Sequence, residues 1–222
     1  MKKLKGFLFI LCMTVSVLLF TACSNTNTDT YKEYVQSVLD TNFKGIYKDY
    51  IELTSVSEDS ASKIYEANIK AISDDFITSG LITNPSEADL LRLREFAIAL
   101  LDKADYTVKE VEEKDGKYYV NVEIKPFLFY GTLQDKLFTK YSELSEKYQN
   151  TDIDSMSNED YAAYVKEYNE ATFALMEEVL NLNEYQEPVT VPCNIIVTKD
   201  YYEIDSKDYE TIYGTVYVPM ES

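Results

Sequence analysis

A hairpin near the middle of the chain restricts the fold more than any other feature. Apolar and polar residues alternate on both sides of Asp115-Gly116, with Tyr106 and Val108 before the turn and apolar residues at every second position over 118–124 after it. A period of two predicts half-buried strands, and Asp-Gly is typical of a two-residue hairpin turn. An antiparallel hairpin set among helical segments favours an α+β fold over a parallel, doubly wound sheet.

Helical segments lie on both sides of this hairpin. Each begins with a residue or short motif typical of helix N-termini, and its apolar residues then recur at intervals of three and four. The predicted starts are Thr30, Ser57, Asn84-Pro85, Gly131-Thr132 and Ser157. We expect the first helix to continue through Tyr50, the second to stop near Gly80, and the third, over 88–103, to be a central buried helix.

The C-terminal part of the chain predicts further sheet. Residues 189–197 and 201–204 predict two strands joined by a turn at Lys199-Asp200, and residues 211–218 predict an additional edge strand. Helices packed on one face of a curved antiparallel sheet made of hairpins are the simplest assembly, which resembles the cystatin-like or nuclear-transport-factor-like class. The ending Tyr201-Tyr-Glu-Ile-Asp205 is similar to that of uncharacterised small lipoproteins of Gram-positive gut bacteria, a resemblance that implies no activity.

The first 22 residues predict a signal peptide outside the fold. After a basic start, the apolar run 6–20 would rise about 22 Å as a helix, short of the roughly 30 Å hydrocarbon core. Its end, Phe20-Thr-Ala-Cys23, resembles the lipobox of bacterial lipoproteins, with Phe20 in place of the usual leucine. The resemblance implies cleavage before Cys23, a diacylglyceryl group on its thiol, and anchoring at the extracytoplasmic face of the cell membrane. An ordinary cleaved signal is the alternative.

This processing sets the domain organisation. Residues 23–29 form a polar tether, and residues 30–222 form a single α+β domain or two helix-plus-hairpin halves, 30–125 and 132–222. Cys12 is lost with the signal and Cys23 is lipidated, so that Cys193 remains as a small buried hydrophobe in a strand. An exported domain of this kind has to rely on its apolar core in place of disulfides.

Charge and composition exclude several functions. The formal charge of −18 becomes about −21 once Lys2, Lys3 and Lys5 leave with the signal, and such a surface repels nucleic-acid phosphates. Nucleic acid is therefore not an expected partner. The chain has no histidine or tryptophan, which removes imidazole bases and imidazole metal ligands. No cofactor and no metal ligand set is indicated.

Three short patterns suggest chemistry without completing it. Ser60-Ala-Ser-Lys63 matches the S-x-x-K element of penicillin-interacting serine enzymes, but their other two elements are only partly echoed. The carboxylates of the 110–115 hairpin could perform acid–base chemistry, or could simply be solvated at a hairpin tip. Residues 152–156 begin like a calcium loop, yet the sixth position is serine where glycine is required, so a turn leading into a helix is the simpler interpretation.

Aromatic side chains are the remaining signal, since the chain has 20 tyrosines. Most are expected in the core or at its rim, but tyrosine also provides large, rigid contact areas for protein or glycan ligands. The candidate ligand-binding residues are Tyr118, Phe127, Phe129, Tyr130 and Tyr202. We therefore predict a lipid-anchored, non-catalytic binding domain for an unknown protein, peptide or glycan. The alternative is an envelope hydrolase that uses the 110–115 carboxylates or the Ser60/Lys63 pair.

Overall fold

A four-stranded antiparallel sheet packed against helices forms the fold in a computed structural model, which describes residues 28–148, 155–198 and 201–217. In spatial as in chain order, the strands are β1 (Asp105–Lys114), β2 (Lys117–Lys125), β3 (Val189–Val197) and β4 (Tyr202–Ile204). The helices within these residues are α1 (Thr28–Leu39), α2 (Lys48–Thr54), α3 (Glu58–Thr78), α4 (Glu87–Asp102), α5 (Phe129–Tyr148), α6 (Asn158–Leu182) and α7 (Ser206–Val216). The predicted α+β class is confirmed.

The sheet has one buried and one solvated face. On β2, Val120, Val122 and Ile124 are fully buried, whereas Asn121 and Glu123 between them are half-exposed. Because successive side chains of a strand point to opposite faces, α1 and α7 cover one face and the other meets solvent. β2 pairs with β3 over residues 118–124, so one sheet runs through both of the helix-plus-hairpin halves.

Local sequence signals place several elements correctly. The side chains of Ser57 and Ser157 accept hydrogen bonds from the third residue of α3 and α6 respectively, as their positions predict. Asp115 and Gly116 both have positive φ, 53° and 73°, which is the conformation of a type I′ hairpin turn. The predicted hairpin is therefore confirmed.

Four predicted helix boundaries are wrong. The first helix begins at Thr28, ahead of the predicted Thr30, so residues 28–29 belong to α1 and not to the predicted tether. The first helix does not continue through Tyr50, because a π-helical turn over Asp40–Lys44 follows α1 and Gly45 then adopts a left-handed φ of 63°. The cap of α4 is Ser86, which forms a capping box with Asp89 two residues later than the Asn84-Pro85 start predicts. Helix α5 begins at Phe129, ahead of the predicted start at 131–132.

The predicted edge strand over 211–218 is also wrong, since its first six residues belong to α7. Asp205 caps α7, and the buried Tyr209, Ile212 and Val216 lie on one face of it. The predictions made for residues 1–27, for the calcium-like loop at 152–154 and for the turn at 199–200 lie outside the described residues.

Candidate functional site

A groove of about 630 Å³ lies between α1 and α2. One wall comes from α1 positions spaced by three and four residues, which lie on one face of a helix. The residues that line the groove are Asp29, Lys32, Glu33, Gln36, Asp49, Glu52 and Leu53. Four carboxylates and one ammonium give the groove a formal charge of −3, so its field attracts cations and repels anions.

Gln36 connects this groove to the sheet. Its Nε2 donates to Asp40 Oδ1 at 2.9 Å, and the Tyr106 hydroxyl donates to the same oxygen at 2.6 Å. Burial, and then the neighbouring Asp40 carboxylate, raise the pKa of Tyr106, so the phenol remains a neutral donor. The α1 wall of the groove is thereby held in a constant position relative to β1.

The opposite side of α1 packs on tyrosines of the sheet. Tyr31 lies 5.1 Å from Tyr118 and 5.4 Å from Tyr202 between ring centroids, and Tyr34 lies 5.0 Å from Tyr202. Tyr31 is only 1% exposed. The structure therefore brings together two of the five candidate ligand-binding residues, Tyr118 and Tyr202, beneath a helix.

The other three candidates belong to a second aromatic cluster at the start of α5. Phe127 and Phe129 are 1% and 0% exposed, and Phe129 lies 5.4 Å from Phe96 and 5.2 Å from Tyr130. These rings contribute to the core between α4 and α5. The five candidates thus form two separate groups, and ligand binding by them stays a prediction.

The two hydrolase arrangements do not assemble in the structure. Glu110, Glu112 and Glu113 are exposed, so they do not converge in a pocket as carboxylate chemistry would require. Lys63 pairs with Asp59 at 2.6 Å, while the Ser60 hydroxyl lies 2.9 Å from that of Ser57. The Lys63 ammonium therefore pairs with the Asp59 carboxylate and not with the Ser60 hydroxyl.

One partly buried carboxylate was not identified from the sequence. Asp75 lies on α3, where its Oδ2 atom is buried without a hydrogen-bond partner among the described residues. Burial, and secondarily the neighbouring Asp74, raise the pKa of Asp75 to about 7. The sequence did indicate that this carboxylate would be partly buried, because Asp75 adjoins the apolar stripe that contains the buried Ile72 and Phe76.

The described residues also limit other kinds of site. Cys193 is 0% exposed, as expected for a buried hydrophobe, and burial raises the pKa of its thiol. Within residues 28–148, 155–198 and 201–217, no three acidic or cysteine side chains group so as to hold a metal ion. No helix in that part of the chain is both long and apolar enough to cross a bilayer.

Comparison with known proteins gives one similarity of fold. No protein-family model and no curated protein matches the chain. Among solved structures, the chain is similar to the crystal structure of "a putative lipoprotein (ycdA)" from Bacillus subtilis, with a TM-score of 0.50 and 16% sequence identity. The match covers 85% of this chain and 57% of the Bacillus chain. At this identity the similarity shows a shared fold alone.

Proposed function

We propose that the protein is an exported lipoprotein, held at the extracytoplasmic face of the membrane through diacylglyceryl-Cys23, whose folded part is a non-catalytic binding domain. Two observations of different kinds support the anchor. The segment Phe20-Thr-Ala-Cys23 follows an apolar run of signal-peptide length. A fold shared with a protein described as "a putative lipoprotein" is consistent with the same class.

The acidic groove between α1 and α2 is the observation that supports binding. Its excess of carboxylates favours a positively charged ligand, because complementary charge steers association and raises the local concentration of the partner. Of the ligand classes considered, a basic peptide or a basic segment of another protein matches this groove better than a neutral glycan. The contacts would be carboxylate–ammonium and carboxylate–guanidinium pairs to Glu33, Glu52 and their neighbours.

Cells expressing the full chain and its Cys23→Ala variant, grown with radioactive palmitate, test the anchor. We expect label and membrane association in the wild type, and loss of both in the variant, because the thiol is the site of acylation. Undiminished label in Cys23→Ala would refute the proposed anchor. An unlabelled wild type that is released from the membrane would favour an ordinary cleaved signal.

Titration calorimetry with a lysine-rich peptide at low salt tests the groove. The double variant Glu33→Gln/Glu52→Gln should bind more weakly than the wild type and with a smaller salt dependence, because two of the attracting charges are removed. Glu95→Gln is the matched control, since Glu95 is exposed on α4 and lies outside the groove lining. If the double variant and the control bind equally well, the groove is not the binding site.

A further inference from the structure

Helix α3 establishes a long axis for the molecule. Its 21 residues rise about 30 Å. Helix α2 ends at Thr54, shortly before α3 begins at Glu58. At the other end of α3, the Gly80 carbonyl accepts a hydrogen bond from the Tyr168 hydroxyl of α6 at 3.1 Å. Helix α2 and the N-terminal half of α6 therefore lie at opposite ends of this axis.

The start of α1 lies at the α2 end of the axis. Asp29 lines the same groove as Glu52 and Leu53, near the end of α2. Beyond the other end of α1, Asn42 accepts a hydrogen bond at 3.0 Å from Asn68, which lies halfway along α3. We call the end that contains the start of α1, the groove and the start of α3 the proximal end.

The β1–β2 turn belongs to the proximal end as well. Tyr118 follows Gly116 of the turn by two residues, and its ring lies 5.1 Å from that of Tyr31 in the first turns of α1. The proximal end is thus built from a helix start, a groove and a hairpin turn.

The end of α5 and the start of α6 lie at the opposite, distal end. Asn169 accepts a hydrogen bond from the Thr83 backbone at 3.0 Å, just beyond α3. Further towards the start of α6, Tyr164 packs at 4.9 Å against Tyr148, the last residue of α5. The end of α5 and the start of α6 therefore lie beyond the C-terminal end of α3, a helix about 30 Å long whose N-terminal end belongs to the proximal end.

The anchor proposed at Cys23 keeps the proximal end close to the membrane. Four residues separate Cys23 from Thr28, the first residue of α1, so the five Cα–Cα steps between them span at most about 18 Å in any conformation. We propose that the anchored domain stands on its proximal end, with the groove close to the membrane surface and with the end of α5 and the start of α6 directed away from it. This orientation rests on the proposed lipidation of Cys23. It places the ligand of the groove in the layer between the domain and the lipid headgroups.

Fluorescence quenching on vesicles tests the orientation. The full chain is purified from membranes as the Glu33→Cys or the Glu159→Cys variant, labelled with a maleimide fluorophore, and reconstituted into phosphatidylcholine–phosphatidylglycerol vesicles that carry a nitroxide on the headgroup. Both glutamates are exposed in the first two turns of a helix, Glu33 at the proximal and Glu159 at the distal end. Cys193 is fully buried and does not compete for the label.

We expect strong quenching of the label at position 33 and almost none at position 159, because nitroxide quenching requires close approach. A 12-residue Gly/Ser spacer inserted between Asn27 and Thr28 adds up to about 40 Å of reach and should relieve the quenching at position 33 while the protein stays on the vesicles. Equal quenching at the two positions on retained protein would overturn the orientation. Failure of the wild type to be retained, or retention unchanged by Cys23→Ala, would instead refute the anchor.

Discussion

The Tyr106 hydroxyl donates to Asp40 Oδ1 at 2.6 Å, and this hydrogen bond joins the start of β1 to the π-helical turn that follows α1. Asp40 Oδ1 also accepts from Gln36 on the groove side of α1. One carboxylate thus connects the sheet with the wall of the candidate binding groove, so the position of that wall depends on a contact between residues 66 positions apart.

Removal of the Tyr106 hydroxyl should destabilise the fold. We expect Tyr106→Phe to lower the free energy of unfolding by about 1.5 kcal/mol, because a hydrogen bond to a charged group in a partly buried site is lost. Urea denaturation followed by circular dichroism measures the change. Tyr119→Phe, on the solvated face of β2, is the control and should stay within about 0.5 kcal/mol of the wild type. Equal effects of the two variants would contradict a structural role for the Tyr106–Asp40 contact.

Asp75 should make stability depend on pH. Its pKa in the folded state is about 7, above the value of about 4 in an unfolded chain, so the folded state binds the proton more tightly. The stability associated with the neutral carboxyl is therefore complete below pH 4 and is lost as the pH rises to about 7. Asp75→Asn removes this titration.

Melting curves of the wild type and Asp75→Asn between pH 4 and 8 measure the effect. We expect the melting temperature of Asp75→Asn to rise relative to that of the wild type as the pH increases. Most of this change in the difference between the two melting temperatures should be complete by pH 7.5. Asp135→Asn, at an exposed position of α5, should follow the wild type across the range. A difference between Asp75→Asn and wild type that does not change with pH would contradict the raised pKa.

Gly45 should resist replacement more strongly than the other glycines. Its φ is 63°, and a Cβ built there would lie 2.9 Å from Cε1 of Tyr65. Gly116 has a φ of 73° but open space around it, and Gly131 lies in α5 with open space and no positive φ. Replacement by alanine at the three positions separates steric overlap, left-handed strain and helix propensity.

We expect Gly45→Ala to cost more than the roughly 1 kcal/mol of left-handed strain alone, which Gly116→Ala should show. Gly131→Ala should be neutral or stabilising by up to about 1 kcal/mol, because alanine is the better helix former. Chemical denaturation of the three variants gives the order. If Gly45→Ala costs no more than Gly116→Ala, the ring of Tyr65 does not restrict the position.

The start of α4 can be checked with two alanine substitutions. Ser86→Ala should cost about 1 kcal/mol, because the Ser86 side chain accepts from the backbone N–H of Asp89. Asn84→Ala should cost less, since Asn84 lies outside the helix and its side chain makes a long 3.4 Å contact with the Tyr161 hydroxyl. Thermal melts of the two variants measure the difference. If Asn84→Ala costs more stability than Ser86→Ala, Asn84 and not Ser86 is the N-cap.

Local signals were sufficient for the elements whose conformation depends on a few adjacent residues. Ser57 and Ser157 satisfy backbone donors in their own first turn, and Asp115-Gly116 adopts a turn that suits its two residues. These contacts depend little on the rest of the chain. Together with the change from helical to alternating periodicity, they predicted the α+β class correctly.

Tertiary contacts decided the secondary structure of segments whose local pattern fits both a helix and a strand. Residues 211–218 alternate well enough for a strand, yet Ile212 and Val216 also share one face of a helix, and packing of that face in the core selects α7. The groove likewise requires α1 and α2 to lie side by side, and the break that permits this is the short segment 45–47, which begins with the left-handed Gly45. Caps and turns are short-range hydrogen bonds that a sequence displays directly. Side-chain burial and the electrostatic field of a groove arise only when residues distant in the chain lie close together in the folded structure.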